Sequence, residues 1–332
     1  VKTYAITIQP LSPFGTPLKG DTIFGQFCWE CSSDSKLLQK PFEAIIKDYS
    51  QNPFAIFSSA YPKLPDGSYA LKRPDAPLDM ISDLGKLTKE ELIDKRKELK
   101  SKKWVICKKP DMLKNLHKLE FINDDALAAK FGLNYDALWV RDVKQSHNSI
   151  NRLTGTTGEG FAPFTQKSTI YAPGCTLVIF AAIDEKALSA ESLRIAIERI
   201  AAFGFGRDAS TGLGKFKLCE MTEIDLESLG SDSPNALYTL SPSVPDAELY
   251  EDAMFTPFTR FGRHGDKLAT SGKPFKNPVI MIDEAALLFP KNMSEALKRG
   301  YLGKGVTGIS KIQENAVHQG YSLYIPVKLE VK

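Results

Sequence analysis

One pattern constrains this chain most: a helix, a Gly-x-Gly turn and a strand, occurring twice. In the first copy, SAESLRIAIERIAAF carries Leu193, Ile197, Ile200 and Phe203 at helical spacing, so one face packs on a core. Ser189 starts this helix as its cap, Gly204 stops it, and GFGRDASTGLGKFKLCEM turns into a strand. The second copy is SEALKRGYL, then Gly303-Lys304-Gly305, then the strand SLYIPVKLEV. A repeat of this kind argues for two related units in tandem. The apolar run CTLVIFAAI (175–183) reads as a central strand, and TYAITIQP (3–10) as an opening one. Between the strand at 3–10 and the first helix lies a loop holding Pro13, Gly15, Pro17 and Gly20. Asp21 is expected to cap that helix, whose stripe is Ile23, Phe24, Phe27, Cys28 and Cys31.

Strand, helix, strand, hairpin, helix, strand is the order of a ferredoxin-like βαββαβ unit. The expected fold is therefore α+β: two tandem ferredoxin-like (RRM-like) domains with an insertion and a protruding β-hairpin finger. With 332 residues and about 150 per domain, length agrees with two. Residues 1–222 form the first domain, with an insertion at about 34–135 and the finger at about 138–175. Polar 223–236 reads as a linker, and 237–332 as the second domain. The insertion is expected to hold small helices of its own. Prolines 53, 62, 65, 74 and 77 break it up, and Thr88 with Glu91 forms a capping box. Its 86–120 stretch has 12 Lys/Arg against 6 Asp/Glu, which reads as a solvated helix face.

Net charge is only +3, which excludes a histone-like polycation but leaves room for a local basic groove. The five cysteines are odd in number and scattered, so reduced thiols and a cytoplasmic protein are expected. No run of 18 apolar residues is present, so no membrane span is expected; strand-like VKTYAITIQP at the start argues against a signal peptide. Cys28 and Cys31 form a CxxC without a second pair, so they read as core thiols, and neither metal nor cofactor is expected.

The loop Gly204–Lys215 is the strongest local signal. Gly204, Gly206, Gly212 and Gly214 permit positive φ and close backbone approach, and exposed amides in such a turn cradle anions. Arg207 and Lys215 add charge; Ser210 and Thr211 add hydroxyls. It serves either as a phosphate cradle or as a structural turn. It lacks a Gly-Lys-Ser/Thr ending, and it enters a strand rather than a helix, so it is neither a Walker loop nor a dinucleotide fingerprint. The finger supplies Lys144, His147, Asn148, Asn151, Arg152, Thr154, Thr156 and Thr157, which suit phosphates, sugars and splayed bases of single-stranded RNA. In the second half, Arg260 and Arg263 alternate with Phe261, as base-stacking or protein-docking groups. The turn around Lys304 is either a second phosphate contact or a plain turn.

In this order, LSPFGTPLKGDTIFGQFCW, HNSINRLTGTTGEG and GFGRDASTGLGKF resemble the RAMP superfamily of CRISPR proteins. GDTIFGQFCW, with the C-terminal GYLGKGVTGISK and HQGYSLYIPVKLE, is similar to the fourth subunit of type III-A Csm complexes, which caps the 5′ handle of the guide RNA. The resemblance implies a non-catalytic crRNA-binding subunit in antiviral defence. Its implied partners are the crRNA 5′ handle, the large polymerase subunit and a neighbouring backbone RAMP subunit. By position, His147, Asn148, Asn151 and Arg152 of the finger would contact the handle, with Gly206, Arg207, Ser210, Thr211 and Lys215 of the loop. Lys19, Lys144, Thr154, Thr156, Gly204, Gly212, Gly214, Arg260, Arg263 and Lys304 complete the expected RNA-binding set.

Two other readings stand beside it. A metal-independent endoribonuclease would use a histidine; of His117, His147, His264 and His318, only His147 lies in an RNA-contacting element. Target cleavage by Asp21 is a lesser variant of the enzyme reading, since its cap role already accounts for it. A mainly structural adaptor is the other.

Overall fold

The computed structural model describes residues 1–81, 88–108, 113–116, 119–134, 137–158 and 160–330; His117 and Glu159 lie outside these. Strand β1 (Lys2–Pro10) leads through the Pro/Gly loop to α1 (Gly20–Ser33). After α2 (Phe42–Asp48) come β2 (Ala55–Lys63), β3 (Tyr69–Lys72), α3 (Leu78–Ile81) and α4 (Lys89–Ser101), which starts at the Thr88–Glu91 capping box. Then follow β4 (Trp104–Cys107), β5 (Phe121–Ile122), α5 (Asp124–Lys130) and the hairpin strands β6 (Val140–His147) and β7 (Phe164–Tyr171). Strand β8 (Thr176–Ile183), α6 (Ala190–Phe203) and β9 (Phe216–Glu223) close the first half.

These strands form one antiparallel sheet in the order β5-β4-β3-β2-β8-β1-β9, from which β6 and β7 stand apart as a two-stranded ribbon. The four strands β2-β8-β1-β9 have the order of a ferredoxin-like unit, with α1 and α6 as its two helices. Ser189 caps α6 by accepting the Ser192 amide, as its sequence predicts. Phe203, expected on the buried stripe, is instead 72% exposed, because it lies on the last turn beyond the sheet.

The region 34–135 holds the expected small helices, α2 to α5, but it is not a mere insertion. It supplies the core strand β2, and β3, β4 and β5 widen the same sheet. Strand β2 follows Pro53, contains Pro62 and carries two serines, which hide its pattern. The serines sit where the β2–β8 register shifts. There Ser58 Oγ accepts the Phe180 amide (2.8 Å), and the Ser59 amide donates to Leu240 O (2.8 Å) in the second half.

The second half runs β10 (Ala236–Thr239), β11 (Tyr250–Met254), β12 (Pro257–Arg260), α7 (Asp266–Ala269), β13 (Val279–Ile282), β14 (Leu287–Pro290), α8 (Met293–Arg299), β15 (Leu302–Gly303), β16 (Tyr321–Ser322) and β17 (Tyr324–Val327). Its sheet order is β11-β14-β10-β17, the same strand order as in the first half. One 3₁₀ turn (Ala247–Leu249) stands where the first helix would be, and β12 pairs with β13 as a separate hairpin. The stretch 223–236 is packed rather than slack: Leu226 and Leu229 are buried, and the Ser231 amide donates to Pro326 O (2.7 Å).

The seam between the halves is continuous with the core, where Ile6, Phe27 and Tyr61 share one cluster with Tyr238, Leu287 and Ile325. Gln319 exchanges two hydrogen bonds with the Phe57 backbone (2.8 and 2.9 Å). Charges are buried here as well. Asp21 does not cap α1. Its carboxylate is buried against Arg260 (Nε 2.6 Å, Nη2 3.1 Å) and His318 Nε2 (3.2 Å). The helix already starts at Gly20, with Lys19 at the cap position, so Asp21 lies inside the first turn and its carboxylate pairs across the seam instead. Glu284 meets Lys19 (3.1 Å) and Lys72, while Lys19 also bonds Asp283.

Burial alone would raise the Glu284 carboxyl, but the hydrogen bond with Asp283 and the Lys72 and Lys19 charges hold it below its usual range. Asp283 moves the other way, raised by burial and by the Glu284 charge beside it. A raised carboxyl stabilises the fold below its unfolded pKa, and that contribution is lost as pH rises through the folded value. Asp283→Asn should therefore become progressively more stable relative to the parent between about pH 4 and pH 7. Urea unfolding at several pH values checks this; a constant difference across the window would rule it out.

The candidate RNA interface

Three segments far apart in sequence meet at one place: the 11–19 loop, the base of the finger and the Gly-rich loop. Phe14 forms an antiparallel bridge to Thr169 of β7, with hydrogen bonds of 2.8 and 2.9 Å. Its buried ring stands edge-on to Tyr171 (5.8 Å) and beside Phe205 and Phe216 (6.5 Å each). The Gly214 amide donates to Pro13 O (2.7 Å), the Arg207 amide to Thr16 Oγ1 (2.9 Å) and the Lys215 amide to Ser12 Oγ (2.8 Å). The Arg207 guanidinium donates to the Lys167 carbonyl and lies 3.1 Å from Asp208. The loop thus locks the finger base to the sheet.

Closure consumes most of the loop's amides. Among the described residues, those of Gly206, Asp208, Ala209 and Ser210 remain without a partner, the last three in succession after Arg207. Successive unspent amides form an anion-binding concavity. Asp208 itself is left-handed (φ +62°), a strained conformation for a residue with a side chain. Arg207, Ser210, Thr211 and Lys215 are exposed beside it. The loop is therefore a structural brace with a short polar concavity at its turn.

The finger is solvated along nearly its whole length, and Lys144, Asn148, Arg152, Thr154 and Thr156 are exposed. Its tip is shaped by Asn151, whose Oδ1 accepts the Leu153 amide (2.9 Å) and whose carbonyl accepts the Gly155 amide (2.8 Å). Leu153 projects at 97% exposure. The His147 ring lies flat on Phe164, with centroids 5.4 Å apart, and its Nε2 is buried. A lone two-stranded ribbon is marginal in water. The Phe14 bridge and the Trp139–Tyr171 contact at its base (6.0 Å) anchor this one.

Several expected RNA contacts have other tasks. Lys19 and Arg260 are engaged with acids at the seam, so their charges brace the two halves. Arg263 donates to Ala269 O (2.9 Å) and lies over the Phe275 ring. Lys304 is exposed in the second half, on a turn packed against Val244 and Gly320. Conversely, sequence reading missed Phe14, Thr16 and Lys167. The alternation of β7 was visible, but not which strand face or loop it would meet. The Cys31 thiol is buried and pushed up to about 12, and Cys28 is raised by burial too. Among the described residues, no group of three potential ligands comes together.

No protein-family model matches this chain, and no curated protein matches it. Solved structures do. A chain of a Csm1–Csm4 cassette crystallised with pppApA aligns at TM-score 0.58 and 16% identity, over 100% of this chain and 99% of that one. A chain of the cassette with cA3 aligns at 0.55 and 16%, again over 100% and 99%. A chain of a Csm3–Csm4 subcomplex from the type III-A CRISPR-Cas interference complex aligns at 0.57 and 12%, over 97% and 99%. The fold is that shared by these chains of Csm1–Csm4 and Csm3–Csm4 complexes. The finger and the Gly-rich loop rise from the same end of the first half. No helix of the described residues is long and apolar enough to cross a membrane.

Proposed function

We propose that this chain is a non-catalytic crRNA-binding subunit of a type III-A-like interference complex. It caps the 5′ handle of the guide RNA, docks the large polymerase subunit and stacks against a backbone RAMP subunit. One observation carries the reading: the 11–19 loop, the finger and the Gly-rich loop converge around Phe14 and Arg207. The name common to the Csm1–Csm4 and Csm3–Csm4 complexes is Csm4, which supports reading the chain as a subunit of that kind. Mechanistically, the unspent amides at Asp208–Ser210 and the Lys215 ammonium beside them grip phosphates and fix register, while the finger tip selects nucleotides. The His147 ring is stacked and its Nε2 buried, which favours a contact over a general base.

The test uses the chain co-expressed with its large-subunit partner and labelled guide RNA with or without the handle. Retention that depends on the handle, without cleavage, is expected. Metal-independent cutting that vanishes in His147→Ala would make the chain a processing nuclease. Normal assembly with RNA retention unchanged in Arg207→Ala/Lys215→Ala would make it a structural adaptor.

A further inference from the structure

The register of the finger puts Lys144 directly opposite Lys167. Residues opposite one another in a ribbon share a face, with Cβ atoms about 5 Å apart. Both lysines are exposed, and neither makes an ion pair or hydrogen bond through its side chain among the described residues. The acid on the same face, Asp142, accepts the Thr169 hydroxyl (2.8 Å). Directly opposed like charges destabilise a ribbon. This ribbon has little packing to spare, so the repulsion calls for an anion between the two side chains. The Lys167 backbone is also where the Arg207 guanidinium donates, so the pair stands at the junction of finger and loop. With Arg207 directed to a carbonyl and to Asp208, its role is to position Lys167.

Resting on the RNA-binding reading above, we propose that Lys144 and Lys167 together clamp a phosphodiester of the bound single-stranded RNA. The ligand chemistry is a phosphate monoanion held between two ammonium groups. Arg207 is the positioning residue that fixes one of them against the loop.

The experiment measures affinity of the full chain for labelled handle-bearing RNA from 0.05 to 0.3 M salt. Each phosphate contact on a single strand contributes a log–log slope of about 0.7, so each lysine replaced by alanine should lower the slope by about 0.7. Over one decade below 1 M that slope is about fivefold in affinity per lysine at 0.1 M salt. Lys144→Glu creates an opposite-charge pair with Lys167. It should keep or raise the thermal midpoint while weakening binding more than Lys144→Ala. Unchanged slope and affinity in Lys144→Ala/Lys167→Ala, with the parent binding RNA, would overturn the clamp and leave the capping role standing. A lowered thermal midpoint in Lys144→Glu would assign the pair to hairpin stability instead, and would also overturn it. Absence of binding by the parent chain would overturn the RNA-binding reading itself.

Discussion

Replacing Gly214 with alanine is expected to cost about 3 kcal/mol of folding stability and to abolish handle binding. Gly214 has φ +73°, where a side chain costs about 1–2 kcal/mol. A Cβ there would also lie 2.2 Å from Phe205 O and 2.5 Å from Phe205 N. Both are backbone atoms that no rotamer change can move, and relieving such overpacking typically costs about 1–3 kcal/mol. The shift would break the reciprocal closure in which the Phe205 amide donates to Gly214 O (2.9 Å) and the Gly214 amide to Pro13 O (2.7 Å). That closure aligns Arg207 with the finger. Gly212 supplies the control. It has φ +98° but open space where its Cβ would be, so Gly212→Ala should cost only about 1–2 kcal/mol. Urea unfolding of both variants reads the difference. Equal losses would mean that backbone conformation alone, not the closure between loops, sets the cost.

Arg260→Ala should destabilise the chain by about 3–5 kcal/mol, the range for breaking a buried ion pair. The Asp21 side chain is fully buried and receives two guanidinium hydrogen bonds, so truncation leaves its charge with His318 alone. The double variant Asp21→Asn/Arg260→Ala removes that stranded charge and should recover part of the loss; a double-mutant cycle measures how much. Burial alone would raise the Asp21 carboxyl, but the His318 hydrogen bond and the Arg260 charge overcome it and hold the group below its usual range. A lowered carboxyl contributes stability that is present above its unfolded pKa, about 3.9, and is lost as pH falls through the folded value. Arg260→Ala weakens that hold, so the variant's stability deficit relative to the parent should shrink as pH falls below about 3.9. A loss below about 1 kcal/mol, the size of a surface pair, would show that the seam does not depend on this contact.

Sequence and structure agree most closely where the signal is local. Leu193, Ile197 and Ile200 of the α6 stripe, the Ser189 cap, the Gly204 stop and the Thr88–Glu91 capping box depend on neighbours within one or two helical turns and appear as read, whereas Phe203 on the last turn does not. The finger was legible because its polar tip is flanked by two β-rich runs. Strand β2 was not, because prolines and serines hide its alternation and its hydrogen bonds go to both halves. The roles of Lys19 and Arg260 were not legible either. Beside glycines and aromatics they look like groups for a nucleic acid, yet their acids lie 264 and 239 residues away along the chain.

The sequence by itself determined the capped helices, the strands flanking them and the chemistry available in the loop and finger, because propensity, capping and periodicity act over a few residues. Tertiary structure alone decided which cations are free. An ion pair forms wherever packing brings two charges together. Here the seam takes Lys19 and Arg260 out of solvent, while the ribbon register leaves Lys144 and Lys167 facing one another in it.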